Sequence, residues 1–421
     1  VRERLESIMP DGVSLSLGQP AGQTMKEKLR APAWSVGALL VASALWLPIL
    51  HRVFRPCLNR YLAAEGVPPA ARAMARYHLD LWDQPDRRGA EIERMRRSNA
   101  EWDFMGRTYL VLALANLGLR EPAGRDRYLR VMDRIIDETL RLEREHGLYY
   151  FLMDYARDGR FIAQPPRSLF QDGEIALMLA ARRMLAERED YAPLLAERIG
   201  FLTGAMSQSP VLCGESYPNE CWTFCNAVAL AAIRMADALD GTDHSTFIAR
   251  WVETARARLL DPRTGLLISS FLFDGTPGDG PEGSSLWMVA HCLQLVAPDF
   301  AEDQYRRARK ELAVIRLGFG YAREWPVGRK GIMDVDSGPI IPFLDISAGS
   351  SGLAVLAAAS FGDEAYVRSL LTSLTFGAFP RRQNGRLRYS ASNQVGDAVL
   401  LYAMAQGPLW RETDRRWRAR P

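Results

Sequence analysis

Five short stretches of the chain carry acids and hydroxyls in patterns suited to proton transfer: Glu101-Trp102-Asp103, Phe170-Gln171-Asp172-Gly173-Glu174, Glu215-Ser216-Tyr217-Pro218-Asn219-Glu220, Glu282-Gly283-Ser284-Ser285 and Asp334-Val335-Asp336-Ser337-Gly338-Pro339. A carboxyl held neutral by burial can deliver a proton, and an ionised carboxylate in a more polar setting can remove one. Two such groups suffice to dehydrate an alcohol, hydrate or isomerise an alkene, or start a cyclisation. The candidates for these roles are Glu174, Asp172, Glu220, Asp334 and Asp336, with Cys225 as a polarising thiol or nucleophile. Trp102, Phe170, Tyr217, Trp222 and Trp287 stand beside the acids, where aromatic faces stabilise carbocation-like charge. Asp103, Ser216, Asn226, Glu282 and Ser284 complete the expected substrate-binding set. Each residue also has a plain structural reading, since Asp, Glu and Ser cap helix N-termini, aromatics fill cores, and alternating acids before Gly-Pro make Asx-turns or hold calcium.

These stretches sit before or at the start of segments that are apolar nearly all round: 107–119, 174–185, 227–239, 285–296, 352–360 and 391–405. A helix apolar on every side must be surrounded by protein. Between them run amphipathic, charged helices such as 125–144, whose stripe is Tyr128, Met132, Ile135, Ile136 and Leu142, and 68–82 supplies a further outer helix. Nothing reads as a sheet. The alternation predicts an all-α fold, an (α/α)6 barrel of inner and outer rings, with a superhelical stack of hairpins as the alternative. Parallel inner helices would bring their polar N-termini to one mouth over an apolar cavity, which is how a small-molecule site is built.

The chain has 421 residues, 53 Lys+Arg against 50 Asp+Glu, and 48% hydrophobic residues, so it is a folded protein without the basic footprint of a nucleic-acid binder. Cys57, Cys213, Cys221, Cys225 and Cys292 lack metal-ligand spacing and are odd in number, which argues against both a zinc site and a disulfide framework. His291 lies within an apolar helix and reads as a core histidine. No phosphate loop, dinucleotide fingerprint or HExxH occurs, and no metal or cofactor is expected. Residues 31–50 are uncharged, flanked by Lys26, Lys28 and Arg30 before and His51, Arg52 and Arg55 after, with Trp34 and Trp46 toward the ends. That is the length and dress of a single transmembrane helix, favoured over a cleaved signal peptide. The expected organisation is an N-terminal segment, 1–60, holding this membrane anchor, and a catalytic barrel, 61–421, with homo-oligomerisation left open.

The segment 215–243, together with Leu259–Leu267, resembles the linalool dehydratase/isomerase family. Pro218, Cys225, Asn226, Gly241, Thr242, Asp243, Asp261, Pro262 and Gly265 stand at that family's spacing, and weaker similarity runs from about Trp102 to Tyr402. The resemblance implies an (α/α)6 barrel and cofactor-free acid–base chemistry on a terpenoid alcohol or alkene. It also marks departures. Cys225 fits one of the family's two pocket cysteines, but the other falls at Ser216, the family's histidine falls at Glu174, and pocket tyrosines fall near Met105 and near Gly283 or Ser284. Asp334 and Asp336 have no counterpart in that pattern, and their run is similar over four residues to the DxDD acid of protonation-initiated terpene cyclases.

Three functions follow. The first is a membrane-associated lyase or isomerase acting on a lipophilic, isoprenoid-like alcohol or alkene, with terpene cyclisation included. A carbohydrate-active barrel enzyme using paired carboxylates is the second. A non-catalytic binding or scaffold protein, its acids mere caps, is the third.

Overall fold

The computed structural model describes residues 25–329, 331, 338–341 and 344–420. The chain divides into two units, Val1–Leu50 and His51–Pro421. Helix α1 (Met25–Phe54) contains a stretch, Ala33–Phe54, that is long and apolar enough to cross a membrane and has no buried share. Trp34, Leu39, Leu40, Val41, Leu45 and Trp46 are all exposed.

In the second unit, α2 (Pro69–Trp82) and α3 (Pro85–Ser98) precede α4 (Ala100–Arg120), α5 (Arg125–His146), α6 (Leu169–Leu185) and α7 (Tyr191–Gln208). Then come α8 (Thr223–Asp240), α9 (Ser245–Arg258), α10 (Gly283–Leu293) and α11 (Pro298–Glu311), followed by α12 (Ala348–Ser360), α13 (Glu364–Gly377), α14 (Gln394–Ala405) and α15 (Pro408–Arg418). The apolar helices pack in a closed cycle: α4 on α6, α6 on α8, α8 on α10, α10 on α12, α12 on α14, and α14 back on α4. This is the six-membered inner ring expected from the sequence. Small residues permit the close approaches; at Gly118 of α4 a Cβ would lie 2.6 Å from a Leu185 methyl of α6. The charged helices form the outer layer. Each buries one stripe, as α5 does with Tyr128, Val131, Met132, Ile135 and Ile136, while α2 backs α14.

Two features differ from expectation. Among the described residues eight short strands occur in the connections. The first, β1 (Cys221–Trp222), pairs with β2 (Ser270–Phe271); β3 (Ala313–Arg316), β4 (Phe319–Ala322), β5 (Ile340–Ile341) and β6 (Ile346–Ser347) form a sheet in the order β3-β4-β6-β5; and β7 (Pro380–Gln383) with β8 (Arg386–Tyr389) makes a hairpin. At two to four residues each, they are too short to leave an alternating pattern. Cys221 therefore lies in a strand while Cys225 lies in α8, and the two do not share a helix face.

The second is α15, which lies across the C-terminal ends of the inner helices as a floor. Its Leu409 N–H donates to Asn116 Oδ1 (3.0 Å), Trp410 Nε1 to the His291 carbonyl (3.1 Å) and Arg416 to the Met184 carbonyl (3.2 Å). Beneath it His291 is a buried core histidine, its Nε2 2.7 Å from the Tyr402 hydroxyl oxygen and its ring stacked on Trp410; burial pushes its pKa down to about 3.

Ring closure is clamped by Arg120 at the end of α4, which donates to the carbonyls of Ala405, Gln406 and Ala63, each at 2.9 Å. Arg120→Ala leaves these three carbonyls and that of Gly66, 3.1 Å from the same guanidinium, without their charged donor and should lower unfolding free energy by about 3 kcal/mol in denaturant titration. A loss below about 1 kcal/mol would show that the ring closes on apolar packing alone.

Candidate active site

The N-terminal ends of all six inner helices meet at one mouth, where two adjoining lobes share Met105 and Ser284 as a common wall. The first lobe, ≈ 90 Å³, lies among α4, α6, α8 and α10, with Glu101, Phe170, Ser216, Tyr217, Trp222, Cys225 and Glu282 in its lining. The second, ≈ 220 Å³, is the more apolar and lies among α4, α12 and α14, bounded by Trp102, Tyr109, Leu353 and Val399. Gly338 and Pro339 also bound it, immediately after the Asp334–Ser337 run. Asp334 and Asp336 themselves lie outside the described residues.

The acids sort by helix face. Glu101, in the first turn of α4, lines the first lobe and accepts a hydrogen bond from the Tyr217 hydroxyl, which in turn accepts from the Met153 N–H at 3.0 Å. Asp103, two residues on, points away from both lobes, into ion pairs with Arg107 (2.8 Å) and Arg96 (3.4 Å). The same division holds on α6. Asp172 is a buried ion-pair partner of Arg167 and Arg198 on the outer side, and the catalytic role expected for it has no geometric support. Glu174 faces inward one turn below Phe170, buried, accepting from Thr108 Oγ1 at 2.6 Å. Burial raises its pKa from 4.5 to about 8, so it is a neutral acid at pH 7. It does not line either lobe, but it lies close enough that its ionised form would raise the pKa of Cys225 and of Tyr109, which do.

Cys225 opens α8 beside Ser216, and burial holds its thiol well above the ordinary range, so it is a protonated thiol rather than a thiolate. Asn226 does not reach the lobes; its amide accepts from Gly214 N–H (2.9 Å) and donates to the Trp222 carbonyl (2.9 Å), bracing the preceding loop against α8. Trp287 is likewise removed from them, donating to Ser350 Oγ at 3.0 Å between α10 and α12. Glu220 stands at the rim, accepting from the Trp222 indole and, at 3.4 Å, from Tyr155. Glu282 and Ser284 line the first lobe at the start of α10. At Gly283 a Cβ would fall 2.0 Å from Ser350 Oγ and 2.5 Å from the Arg323 carbonyl, so a tyrosine cannot stand there without displacing α12.

Several residues of the site carry little signal in the sequence. Glu101 belongs to an acidic triplet, but nothing in the sequence sets it apart from Asp103. Tyr155, stacked on Tyr217 at 4.6 Å, comes from an irregular connection with no periodic signal. Buried Glu324 accepts from Ser284 N–H (3.0 Å) and from Ser347 Oγ (2.5 Å), fixing α10 and α12 together at the mouth. Among the described residues the buried Tyr109 hydroxyl has no hydrogen-bond partner. Among the described residues no group of three His, Cys, Asp or Glu is placed to hold a metal ion.

A closed (α/α)6 barrel with a small, partly acidic pocket at the N-terminal mouth is thus the class of protein that the fold and site define. Residues 195–395 match the family model described as linalool dehydratase/isomerase, which bears out the family resemblance read from the residues. No curated protein matches the chain. Solved structures similar to it include a GH76 alpha-mannanase from Bacteroides thetaiotaomicron, at 12% identity and TM-score 0.43 over 73% of this chain and 86% of that one. A reducing-end-xylose releasing exo-oligoxylanase complexed with xylobiose is another, at 16% identity and TM-score 0.42 over 72% and 82%.

The raised pKa of Glu174 has a consequence for stability. Its protonated form is favoured by folding, so its contribution is complete below the ordinary carboxyl pKa of 4.5 and is lost as pH rises through about 8. Asp397, buried in the first turn of α14 and raised to about 7, acts in the same sense. Between pH 5 and pH 9 the native protein should lose roughly 5 °C more in Tm than Glu174→Gln, read by calorimetry. Parallel curves would show that Glu174 ionises as freely in the fold as outside it.

Proposed function

We propose that the protein is a membrane-associated lyase or isomerase that works without a cofactor on a small, lipophilic, isoprenoid-like alcohol or alkene. The observation that carries this reading is the neutral Glu174 beneath a small lobe lined by the Cys225 thiol and Glu101. Two small lobes walled by Phe170, Trp222, Leu353 and Val399 suit a compact apolar molecule better than a chain of sugars. The apolar stretch Ala33–Phe54 supports membrane association, and a bilayer is a natural reservoir for such a substrate.

In the dehydration direction, Cys225 passes its thiol proton to the substrate hydroxyl as the C–O bond breaks, and Glu174 restores that proton to sulfur. Glu101 takes a proton from the neighbouring carbon, and the electron pair left behind forms the alkene. Water leaves with the oxygen, and the proton gained by Glu101 returns through solvent to Glu174, which resets both groups. Hydration is the reverse, and isomerisation follows when water returns to a different carbon of the allylic cation. Positive charge in transit is met by the faces of Phe170 and Trp222. Glu174 and Ser216 occupy positions where the family has a histidine and a second cysteine, so the substrate is expected to differ from linalool.

Detergent-solubilised protein incubated with a panel of prenyl alcohols and polyenes should give products differing by one water, or isomers, by mass spectrometry. On the substrate so found, Glu174→Gln and Glu101→Gln should each cost roughly 10²–10⁴ in kcat. Cys225→Ser should cost more than about tenfold while leaving Tm little changed. Because the donor must be protonated, activity should fall as pH rises through about 8, and that limb should vanish in Glu174→Gln. Retention of turnover within about threefold by both Gln variants would overturn the mechanism.

A further inference from the structure

Three segments of the barrel unit meet around the last turn of α1. The Phe54 ring lies 5.0 Å from that of Phe376 in α13, Phe376 lies 5.3 Å from Phe319 in β4, and a Cβ at Gly318 would fall 2.4 Å from the His51 ring. Around this junction large apolar side chains face outward: Ile315 is 43% exposed, Leu317 49%, Phe376 44% and Phe379 65%.

Backbone conformation sharpens the point. Leu317 and Phe379 both adopt positive φ, at 52° and 49°. Bulky residues avoid that region, and it is ordinarily left to Gly or Asn. The β3–β4 turn is Leu317-Gly318, with φ of 52° and 83°, whereas the β7–β8 turn solves the same geometry with Asn384-Gly385 at 52° and 72°. Local preference favours Asn at 317. Neither packing nor turn chemistry accounts for a leucine there, exposed at a hairpin tip.

Charge supplies the third observation. Residues 51–60, 313–322 and 371–385 contain no Asp or Glu, although acids are nearly as frequent as bases in the whole chain, and they carry Arg52, Arg55, Arg60, Arg316, Arg381 and Arg382. All six are exposed. Protruding apolar side chains on segments that carry exposed arginines and no acids match the interface of a bilayer that contains anionic lipid.

We propose that the β3–β4 turn and the chain following α13 form a membrane-docking face, in which Leu317, Phe376 and Phe379 enter the headgroup–acyl boundary and Arg316, Arg381 and Arg382 meet lipid phosphates. His51 and Phe54, at this face, follow the apolar stretch in sequence, so the inference rests in part on the membrane association proposed above. It goes beyond an anchor, because it makes the barrel itself lie on the lipid.

The test uses the full chain in a Cys57→Ser background, the remaining cysteines being buried. An environment-sensitive dye is attached at Phe379→Cys or, as control, at exposed Glu253→Cys on α9, and each protein is reconstituted into phosphatidylcholine liposomes with about 30 mol % phosphatidylglycerol. Brominated lipid should quench the dye at 379 at least about threefold more than the dye at 253. Adding Leu317→Asn and Arg→Gln at 316, 381 and 382 should remove the difference, while Leu317→Asn alone keeps or raises Tm because Asn suits the turn. Liposome flotation separates the outcomes. Protein that floats with equal quenching at the two sites retains its anchor and loses the docking face; protein that does not float refutes both. Crosslinking between copies through residue 379 without lipid quenching would also overturn the proposal, by showing a second copy on that face.

Discussion

Parallel helices share an end, and the unpaired N–H groups of six inner helices must all be satisfied at one mouth. Four of them use their own side chains: Asn99 caps α4, Ser168 caps α6, Ser347 caps α12 and Asn393 caps α14. Helices α8 and α10 take no cap from their own N-cap side chains, and α10 instead has Glu324 on its Ser284 N–H. The first lobe opens between these two, with Cys225 and Glu282 at their starts. The polarity of the mouth is therefore imposed by the ring, and the place where side-chain capping is incomplete is where hydroxyls, thiol and carboxylates remain turned toward a cavity.

The same geometry divides acids that look equivalent. Two residues along a helix are about 200° apart, so Glu101 and Asp103 face opposite ways, as do Asp172 and Glu174. On the outer side the partner is arginine, and a carboxylate there is a structural charge held by Arg107, Arg167 or Arg198. On the axial side, among the described residues, Glu174 has the Thr108 hydroxyl for a partner and no cation, and without a compensating charge desolvation keeps its proton in place. A single helical phase decides which acids brace the wall and which can exchange protons.

That phase limits what a sequence reveals. The six inner helices are legible because an all-round apolar segment has one environment available to it, and their number and spacing follow. The acidic mouth is legible as a set, since each cluster opens a helix. Assigning members is harder, because Asp172 and Asp103 read as well as Glu174 and Glu101 until the axis is known. Glu324 and Tyr155 come from irregular connections, and their roles depend on contacts made across the mouth, to Ser284, Ser347 and Tyr217. Asn226 and Trp287, which the sequence places among the pocket candidates, serve as braces because amide and indole groups also satisfy buried backbone and hydroxyl partners.

Closing the ring joins the two ends of the barrel's own chain. Arg120 meets Ala405 across 285 residues, and the floor is sealed when Leu409 meets Asn116 across 293. A nascent chain emerging from the ribosome can pair α4 with α6 early, but α4 waits with its other apolar flank uncovered until α14 and α15 have been made. Loop closure on that scale is slow relative to local pairing. The barrel is thus completed only once α14 and α15 have emerged, and the unpaired side of α4 is a natural surface for a chaperone to hold until the ring shuts.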